Sequence, residues 1–201
     1  MPKLRVSFLE VSFWAVVVAM GLAQLGLGTG CSARPSSTVG SPANCPADSP
    51  SQITIPPAGE PGTSLVVSGR VFGPDRKTPV AGAMIYVYHT DARGYYRLDG
   101  SFSNPRLHGC VKTDAEGHYE IRTIKPGAYP GRSIPAHIHV KIAAAGFRDA
   151  NDLEIQFEGD PQITPDAIAK QSADGTFSTI RPLAQGAGAL LCTRDFALER
   201  L

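Results

Sequence analysis

The sequence predicts an all-β protein built as an antiparallel β-sandwich, and three observations lead to this fold class. From about residue 65 onward, short runs rich in β-branched and aromatic residues follow one another. Turn-forming residues, chiefly Gly, Pro and Asp, separate these runs. Seven or so short strands with frequent turns are typical of a sandwich or barrel, and about 140 residues are ample for one core.

The first four strands are predicted at 65–72, 83–89, 110–113 and 118–124. The first is rich in valine and ends at a Gly-Pro-Asp turn. The second alternates its faces over several residues and ends at an Asp-Ala-Arg-Gly turn. An Asp-Ala-Glu-Gly turn separates the third strand from the fourth.

The remaining strands are predicted at 136–142, 153–157 and 189–198. A loop at 125–132 leads into the first of them. A weak helical pattern is confined to residues 165–171, which leaves the fold class all-β.

Charge and length set limits on partners and on domain organisation. The 201 residues carry a formal net charge of +1, and the charges of both signs are interspersed. This pattern gives no support for nucleic acid or an anionic membrane surface as a partner. The length predicts one domain with additional segments. We place a signal segment at 1–30, a tether at 31–62 and the sandwich domain at 63–201.

The first thirty residues have the layout of a secretory signal. Lys3 and Arg5 precede an apolar run at 13–23, and small residues lead up to Cys31. Small residues followed by cysteine also resemble the bacterial lipobox, although Gly28 stands where leucine is usual. We therefore expect an exported protein, lipid-anchored through Cys31 to the cell envelope, where the following serine resembles the outer-membrane sorting class. An ordinary cleaved signal and a transmembrane anchor are the alternatives.

The tether and the cysteines follow from the same interpretation. Residues 32–62 are rich in Ser, Pro, Gly and Ala, so they are expected to be disordered. In an oxidising compartment a disulfide is plausible for the remaining cysteines. Cys110 and Cys192 both fall in predicted strands, whereas Cys45 lies outside the predicted domain. The first choice is a Cys110–Cys192 pair, and two buried free thiols are the alternative.

His137-Ile138-His139 is the first sign of chemistry. Residues two apart on a strand point to the same face, so both imidazoles can reach one metal ion while Ile138 packs on the other side. Strand histidines also lie at protein surfaces without any ligand, so the motif alone does not decide between these two interpretations.

Tyrosines at loop positions suggest which metal that ion is. Tyr96 ends a Gly-Tyr-Tyr sequence and Tyr129 lies in a Pro-Gly-Ala-Tyr-Pro sequence. A phenol has a pKa near 10, so tyrosine is a good ligand only for a hard, highly charged ion such as Fe(III). Zn(II) more often takes histidine, cysteine and carboxylate, and the carboxylates here show no facial triad. Taken singly, each tyrosine is equally well explained as a core or turn aromatic.

Four sequence blocks together resemble the intradiol ring-cleavage dioxygenases, the family of catechol 1,2-dioxygenase and protocatechuate 3,4-dioxygenase. They lie at 88–96, 113–119, 123–130 and 135–139, in family order and spacing. The resemblance covers about residues 65–160 and is closest to the small exported members, since the long helical dimerisation region of many catechol 1,2-dioxygenases has no counterpart.

The resemblance implies a β-sandwich that holds Fe(III) through Tyr96, Tyr129, His137 and His139. By the same analogy Tyr129 and His139 are axial, and Tyr129 leaves the metal when a catechol chelates and can take a substrate proton. The implied reaction uses O2 to open a catechol ring between its two hydroxylated carbons, which makes the chain an oxidoreductase whose partners are a catechol-like substrate and O2. The sequence does not indicate an oligomeric state.

Three positions depart from the family pattern. Ile134 stands where the family usually has arginine directly before Pro-Ala-His-Ile-His. Arg132 is the candidate to supply the missing cation, which at a developing charge can be worth roughly 10²–10³ in rate. His108 replaces an arginine before glycine, and Glu154 aligns loosely with a glutamine.

These departures motivate a second hypothesis of a different class. The chain could be an anchored β-sandwich module that binds metal and catechol without dioxygenase turnover. Side chains expected to line the pocket, each equally well explained as core, are Tyr86, Tyr88, Tyr95 and Phe157.

Overall fold

The structure is a computed structural model that describes residues 40–201. The predicted signal segment, lipidation at Cys31 and residues 31–39 of the predicted tether lie outside the described residues. None of the helices in the described part is long and apolar enough to cross a membrane.

Eleven strands of the described residues form two sheets, as the predicted sandwich requires. The first sheet has the order β1-β5-β2-β10-β9, with β11 also paired to β2, and the second has the order β4-β3-β6-β7-β8. In chain order the strands are β1 (Gln52–Thr54), β2 (Ser64–Phe72), β3 (Met84–His89), β4 (Leu107–Lys112), β5 (His118–Ile124), β6 (His137–Ala143), β7 (Ala150–Phe157), β8 (Ile180–Arg181), β9 (Ala184–Gln185), β10 (Leu190–Thr193) and β11 (Phe196–Ala197).

All seven predicted strands are confirmed, and the last of them is divided into β10 and β11. The central pairs are antiparallel: β2 with β5, β3 with β4 and β6, and β6 with β7. Short parallel pairs complete the sheets, in which β1 joins β5, β8 joins β7, and β10 and β11 join β2. Three strands of two or three residues, β1, β8 and β9, carry too little pattern for the sequence to reveal them.

The core lies between the two sheets because each strand buries alternate residues. From the first sheet Val67 and Ile121 are almost fully buried, and from the second Ile85, Ile138 and Ile155 meet them in one apolar cluster. The residues between them in sequence, including the predicted metal ligands of β6, therefore face outward from the second sheet.

The predicted helix is confirmed as α1 (Pro165–Gln171). Thr164 caps its start, since the threonine hydroxyl accepts a hydrogen bond from the Ala167 amide at 3.2 Å. Pro165 occupies the first turn, where its missing N–H costs nothing. Two short 3₁₀ segments complete the helical structure of the described residues, Pro42–Asn44 and Ser172–Phe177.

The prediction of a disordered tether is wrong for residues 40–62. Strand β1 pairs with β5, and Ile53 and Ile55 pack against the core. Glu60 forms an ion pair with Arg106. The composition of the segment hides these contacts, because backbone pairing to an existing sheet edge does not need a long apolar run.

The first-choice disulfide is also wrong, because Cys45 pairs with Cys110 and Cys192 is a buried free thiol. Cys192 belongs to the core between the sheets, whereas Cys110 lies on the outer face of the second sheet beside Tyr86. Two cysteines on opposite sides of a sheet cannot be bridged, which the strand assignments alone did not reveal.

His89 ties the two sheets together at the end of β3. It is fully buried, its Nδ1 donates to the Thr90 carbonyl oxygen at 2.7 Å, and its Nε2 lies 2.7 Å from the Thr123 hydroxyl of β5. Burial lowers the pKa of His89 to about 4, so the native state holds it neutral.

We expect the metal-free protein to lose stability as the pH falls from 7.5 to 5. The unfolded chain protonates His89 near pH 6.5, whereas the folded chain does so only near pH 4, so the contribution is complete above pH 6.5 and is lost below it. The loss from this residue should be about 2 kcal/mol by pH 5, measured by urea unfolding. His89→Gln should make the decline shallower and leave the part due to His139, whose pKa is also lowered to about 4; an equally steep decline in that variant would contradict the assignment.

Candidate metal centre

Four side chains that the sequence predicts as ligands converge on the outer face of the second sheet. The hydroxyls of Tyr96 and Tyr129 are in hydrogen-bond contact. The Tyr129 hydroxyl lies 3.2 Å from Nε2 of His139, which lies 2.9 Å from Nε2 of His137. Two phenol oxygens and two imidazole nitrogens therefore face one another within contact distance, although they come from two loops and one strand.

The two tyrosines are brought together because their loops are hydrogen-bonded to each other. The Asp91 carboxylate accepts the amides of Arg93 and Tyr95 at 2.9 and 3.0 Å and closes the turn that leads to Tyr96. The Gly127 amide donates to the Asp91 carbonyl oxygen at 2.9 Å. The side-chain bonds of Asp91 shape the first loop, and its backbone bond joins that loop to the second. These bonds explain why an Asp-x-x-Gly-x-Tyr block and a Pro-Gly-x-Tyr-Pro block occur together.

Gly94 is required where these loops touch. Its φ is +92°, in the region that side chains disfavour. A Cβ atom at this position would lie 1.9 Å from the Ala128 carbonyl oxygen. The close approach places Tyr129 directly over the loop that carries Tyr96.

His137 is held in one orientation by its own backbone. Its Nδ1 lies 2.7 Å from the Pro135 carbonyl oxygen, which can only accept, so Nδ1 carries the proton. Nε2 of His137 therefore carries a lone pair, and it faces Nε2 of His139 at 2.9 Å. The Ala136 amide donates to the Asp160 carboxylate at 2.9 Å and fixes the start of β6. A hydrogen bond like that between His137 Nδ1 and the Pro135 carbonyl oxygen commonly orients the imidazole of metal-binding histidines.

His139 is held by an aromatic ring. Tyr88 lies directly opposite it in the β3–β6 pairing, and the two rings stack at 4.4 Å with planes 14° apart. Tyr88 in turn packs with Tyr86 and Tyr96, against which Cys45 and Cys110 are also packed. Tyr96, a predicted ligand, and the ring behind His139 thus belong to one cluster.

Burial keeps these groups uncharged in the absence of a cation. It raises the pKa of Tyr96 far above 10 and that of Tyr88 to about 12, and it also raises the pKa of Tyr129. It lowers the pKa of His139 to about 4, with His137 as the next cause. At neutral pH the phenols are therefore protonated and His139 is neutral, so a cation would have to displace phenol protons.

Glu154 approaches the same site, which corrects the expectation that no carboxylate forms a triad with the histidines. Its Oε1 lies 3.9 Å from Nε2 of His137 and 4.0 Å from Nδ1 of His139, and Gln156 donates to its Oε2 at 3.0 Å. The β6–β7 register sets Glu154 opposite His139, a pairing between strands that residue spacing does not reveal.

A second group of potential ligands, Asp114, Glu116 and His118, lies at the turn before β5. The Asp114 carboxylate accepts the amides of Glu116 and His118 at 3.1 and 2.7 Å. These hydrogen bonds close the turn, and the closed turn explains why the three side chains lie close together.

A cavity of about 240 Å³ adjoins the two tyrosine hydroxyls. It is lined by Tyr96, Phe102, Tyr129, Arg132 and Ile134. Arg132 is exposed, and its charge favours a lower pKa for Tyr129 against the larger effect of burial. Arg132, the residue predicted to supply positive charge at the substrate, thus borders this cavity.

The four aromatic residues predicted to line the pocket are not among the residues that line this cavity. Phe157 is in the core, Tyr86 and Tyr88 lie behind the ligands, and Tyr95 packs on Phe102 with ring centres 5.6 Å apart. Phe102 lines the cavity although the sequence analysis missed it, because its loop has no periodicity to mark it.

Comparisons with known proteins identify the family. A family model described as "Dioxygenase" matches residues 42–199. The chain belongs to the intradiol dioxygenase family. This family match begins well before the predicted domain start at residue 63, in agreement with the ordered segment found there.

Two curated relatives illustrate the similarity. Catechol 1,2-dioxygenase 2 of Acinetobacter lwoffii is 36% identical over 139 residues, covering 61% of this chain and 50% of the relative. The protocatechuate 3,4-dioxygenase beta chain of Burkholderia cepacia is 36% identical over 125 residues, covering 55% and 52%. The chain therefore spans about half the length of the curated relatives it matches.

Solved structures share the fold. The dioxygenase domain of a dioxygenase and carbohydrate-binding protein fusion from Streptomyces sp. SirexAA-E has a TM-score of 0.57 at 30% identity, covering 78% of this chain and 92% of that chain. Catechol 1,2-dioxygenase from Acinetobacter sp. ADP1 has a TM-score of 0.60 at 22% identity, covering 77% and 60%, which is a similarity of fold alone.

Replacing Tyr88 tests how far its ring positions His139. Tyr88→Ala should weaken metal binding about tenfold to a hundredfold, the usual effect of losing a group that orients a ligand. Tyr88→Phe keeps the stacked ring and should restore most of the affinity, measured by competition with a chelator. If the alanine variant keeps the parent affinity while its melting temperature falls, Tyr88 serves only packing.

Proposed function

We propose that this chain is a non-haem Fe(III) dioxygenase that opens catechol-type rings between their two hydroxylated carbons. The observation that carries the proposal is the convergence of the oxygens of Tyr96 and Tyr129 with Nε2 of His137 and His139. Family membership supports the reaction class. The balance is one catechol and one O2 to one cis,cis-muconate-type diacid, with both oxygen atoms retained in the product.

The donor set fits Fe(III) on grounds of charge. Two phenolates and two neutral imidazoles around a +3 ion leave the site near +1, and a hard trivalent ion stabilises phenolate in a site that otherwise keeps phenols protonated. When bound, Fe(III) would supply a Lewis-acid centre that binds the deprotonated catechol and makes its ring reactive toward O2. We propose Tyr96, Tyr129, His137 and His139 as its ligands.

The two tyrosines are suited to different roles by their exposure. Tyr96 is buried, whereas Tyr129 is half-buried and borders the cavity. We propose that Tyr129 takes a proton from one catechol hydroxyl: the substrate O–H bond breaks and an O–H bond forms on the Tyr129 oxygen. The Pro135 carbonyl and the Tyr88 ring hold His137 and His139 in place during this proton transfer.

Arg132 is the proposed source of positive charge at the substrate. It replaces in function the family arginine whose position Ile134 occupies, and it borders the cavity beside Tyr129. Because its side chain is exposed, its interaction with a charged group is worth at most about 1 kcal/mol. We therefore assign Arg132 a modest contribution to rate.

An optical spectrum with oxygen measurements tests the proposal. Protein reconstituted with Fe(III) should be burgundy from tyrosinate-to-iron charge transfer, the band should shift when a catechol is added without O2, and air should then produce a muconate-type product with one O2 consumed per catechol. Protein that stays colourless and iron-free after reconstitution would contradict the metal site.

The alternative is a module that binds metal and catechol without turnover. The exposed Ile134 at the family arginine position is the observation that favours it. It predicts the same colour and the same spectral shift with no O2 uptake across a broad catechol panel. Turnover of any member of the panel rejects this alternative.

We further propose that the chain is exported and lipid-anchored through Cys31. The Cys45–Cys110 disulfide supports an oxidising compartment. Cells fed a labelled fatty acid should transfer the label to the parent protein and not to the Cys31→Ser variant. Equal labelling of both proteins, or labelling of neither, rejects the anchor.

A further inference from the structure

Two exposed apolar side chains border the proposed substrate cavity. Five large hydrophobic residues of the described chain are exposed, and two of them, Phe102 at 44% and Ile134 at 38%, line the cavity beside Tyr96 and Tyr129. Scattered exposed hydrophobic residues need no explanation, but a pair that continues the wall of a site offers a contact surface.

The ring of Phe102 is held in place although one side of it faces solvent. It packs edge-on against Tyr129 and Tyr96, with ring centres 5.4 and 6.2 Å apart, and tilts against Tyr95 at 5.6 Å. Three aromatic neighbours leave the ring little freedom, so its exposed face is ordered before any ligand arrives. An ordered apolar surface loses little entropy when it binds a ligand.

A substrate with a charged substituent would gain little binding free energy at this surface. Arg132 is the charged residue among those that line the cavity, and it is exposed. A carboxylate on the substrate would exchange hydration for one contact with a solvated guanidinium, which contributes little. Covering Phe102 and Ile134 removes apolar surface from water and contributes more.

We propose that this site prefers catechols that carry an apolar aryl or alkyl substituent, which packs on Phe102 and Ile134. The inference rests on the proposed function and names its substrate class. Pockets that enclose drug-sized ligands measure roughly 300–1,000 Å³, so the cavity of about 240 Å³ takes the catechol ring and leaves the substituent at its opening.

The first test compares kcat/KM for catechol, 4-phenylcatechol and protocatechuate. We expect the iron-loaded protein to prefer 4-phenylcatechol over both others by at least about tenfold, within the range that apolar pocket contacts provide. The Phe102→Ala/Ile134→Ala double variant should bring the ratio of 4-phenylcatechol to catechol to within about twofold. Leu191→Ala removes an equally exposed hydrophobic residue from the other sheet and should keep the ratio.

The second test needs neither iron nor turnover. In metal-free protein the Ile134 methyl NMR signals should shift on titration with 4-phenylcatechol at concentrations about tenfold lower than with catechol, and the Phe102→Ala variant should lose this difference. A preference for catechol or protocatechuate in the first test, or equal titration in the second, overturns the inference. Failure to cleave any catechol overturns the proposed function instead, and the methyl titration then still decides the substituent preference.

Discussion

Replacing His137 by alanine should abolish stoichiometric iron binding, the visible absorption and ring cleavage together. His137 is 6% exposed, and its Nδ1 is held by the Pro135 carbonyl oxygen, so its Nε2 is fixed toward the other proposed ligands. Even groups that merely orient a ligand are worth 10–100-fold in metal affinity, so we expect the loss of this ligand to exceed about 10²-fold. Iron content per chain and the charge-transfer band measure the effect.

A matched control is His118→Ala. This histidine is half-exposed, belongs to β5 in the other sheet and lies in the second cluster of potential ligands. The control variant should bind iron like the parent protein. If instead His137→Ala keeps its iron and His118→Ala loses it, the turn at Asp114 is the metal site and the proposed ligand set is wrong.

The sequence revealed the four proposed ligands because their constraints are local. Period-two alternation puts His137 and His139 on one face of β6. The Asp-x-x-Gly-x-Tyr block closes its own turn around Asp91 and delivers Tyr96 to a defined place. Features that depend on residues close together in the sequence can be predicted without knowledge of the tertiary fold.

The features that the sequence did not reveal depend on pairing across the sheets. Glu154 reaches the histidines through the β6–β7 register. Phe102 meets Tyr96 and Tyr129 from a loop without regular pattern. The four proposed ligands could therefore be named from the sequence, but not the distance of Glu154 from the histidines or the contacts of Phe102 with the tyrosines.

Residues 40–62 show the same limit of prediction from sequence. Its Ser, Pro and Gly content predicts disorder, yet β1 pairs with β5 and Lys112 donates to the Ala47 carbonyl oxygen at 2.9 Å. Composition indicates how much apolar surface a segment can bury. It does not indicate whether the edge strand of a neighbouring sheet offers the segment backbone hydrogen bonds. The covalent link through Cys45 removes most of the remaining freedom of this segment.

Removing the Cys45–Cys110 disulfide should therefore cost the protein a large share of its stability. The bond spans 65 residues of sequence, and closing a loop of that length in the unfolded chain corresponds to about 4 kcal/mol. Because both cysteines pack against the cluster of Tyr86, Tyr88 and Tyr96, its loss should also loosen the support of the metal centre. Urea unfolding of metal-free protein with and without dithiothreitol measures the difference.

The Cys45→Ser/Cys110→Ser double variant separates the disulfide from other effects of the reductant. It should unfold at the same low urea concentration with and without dithiothreitol, matching the reduced parent protein, since Cys192, the one cysteine that it keeps in the described part of the chain, has no partner there. A parent protein that does not respond to full reduction would show that the strands and the β1–β5 pairing hold the segment without the bond. Mass spectrometry of unreduced peptides provides the independent check, because a Cys110–Cys192 peptide would refute the pairing itself.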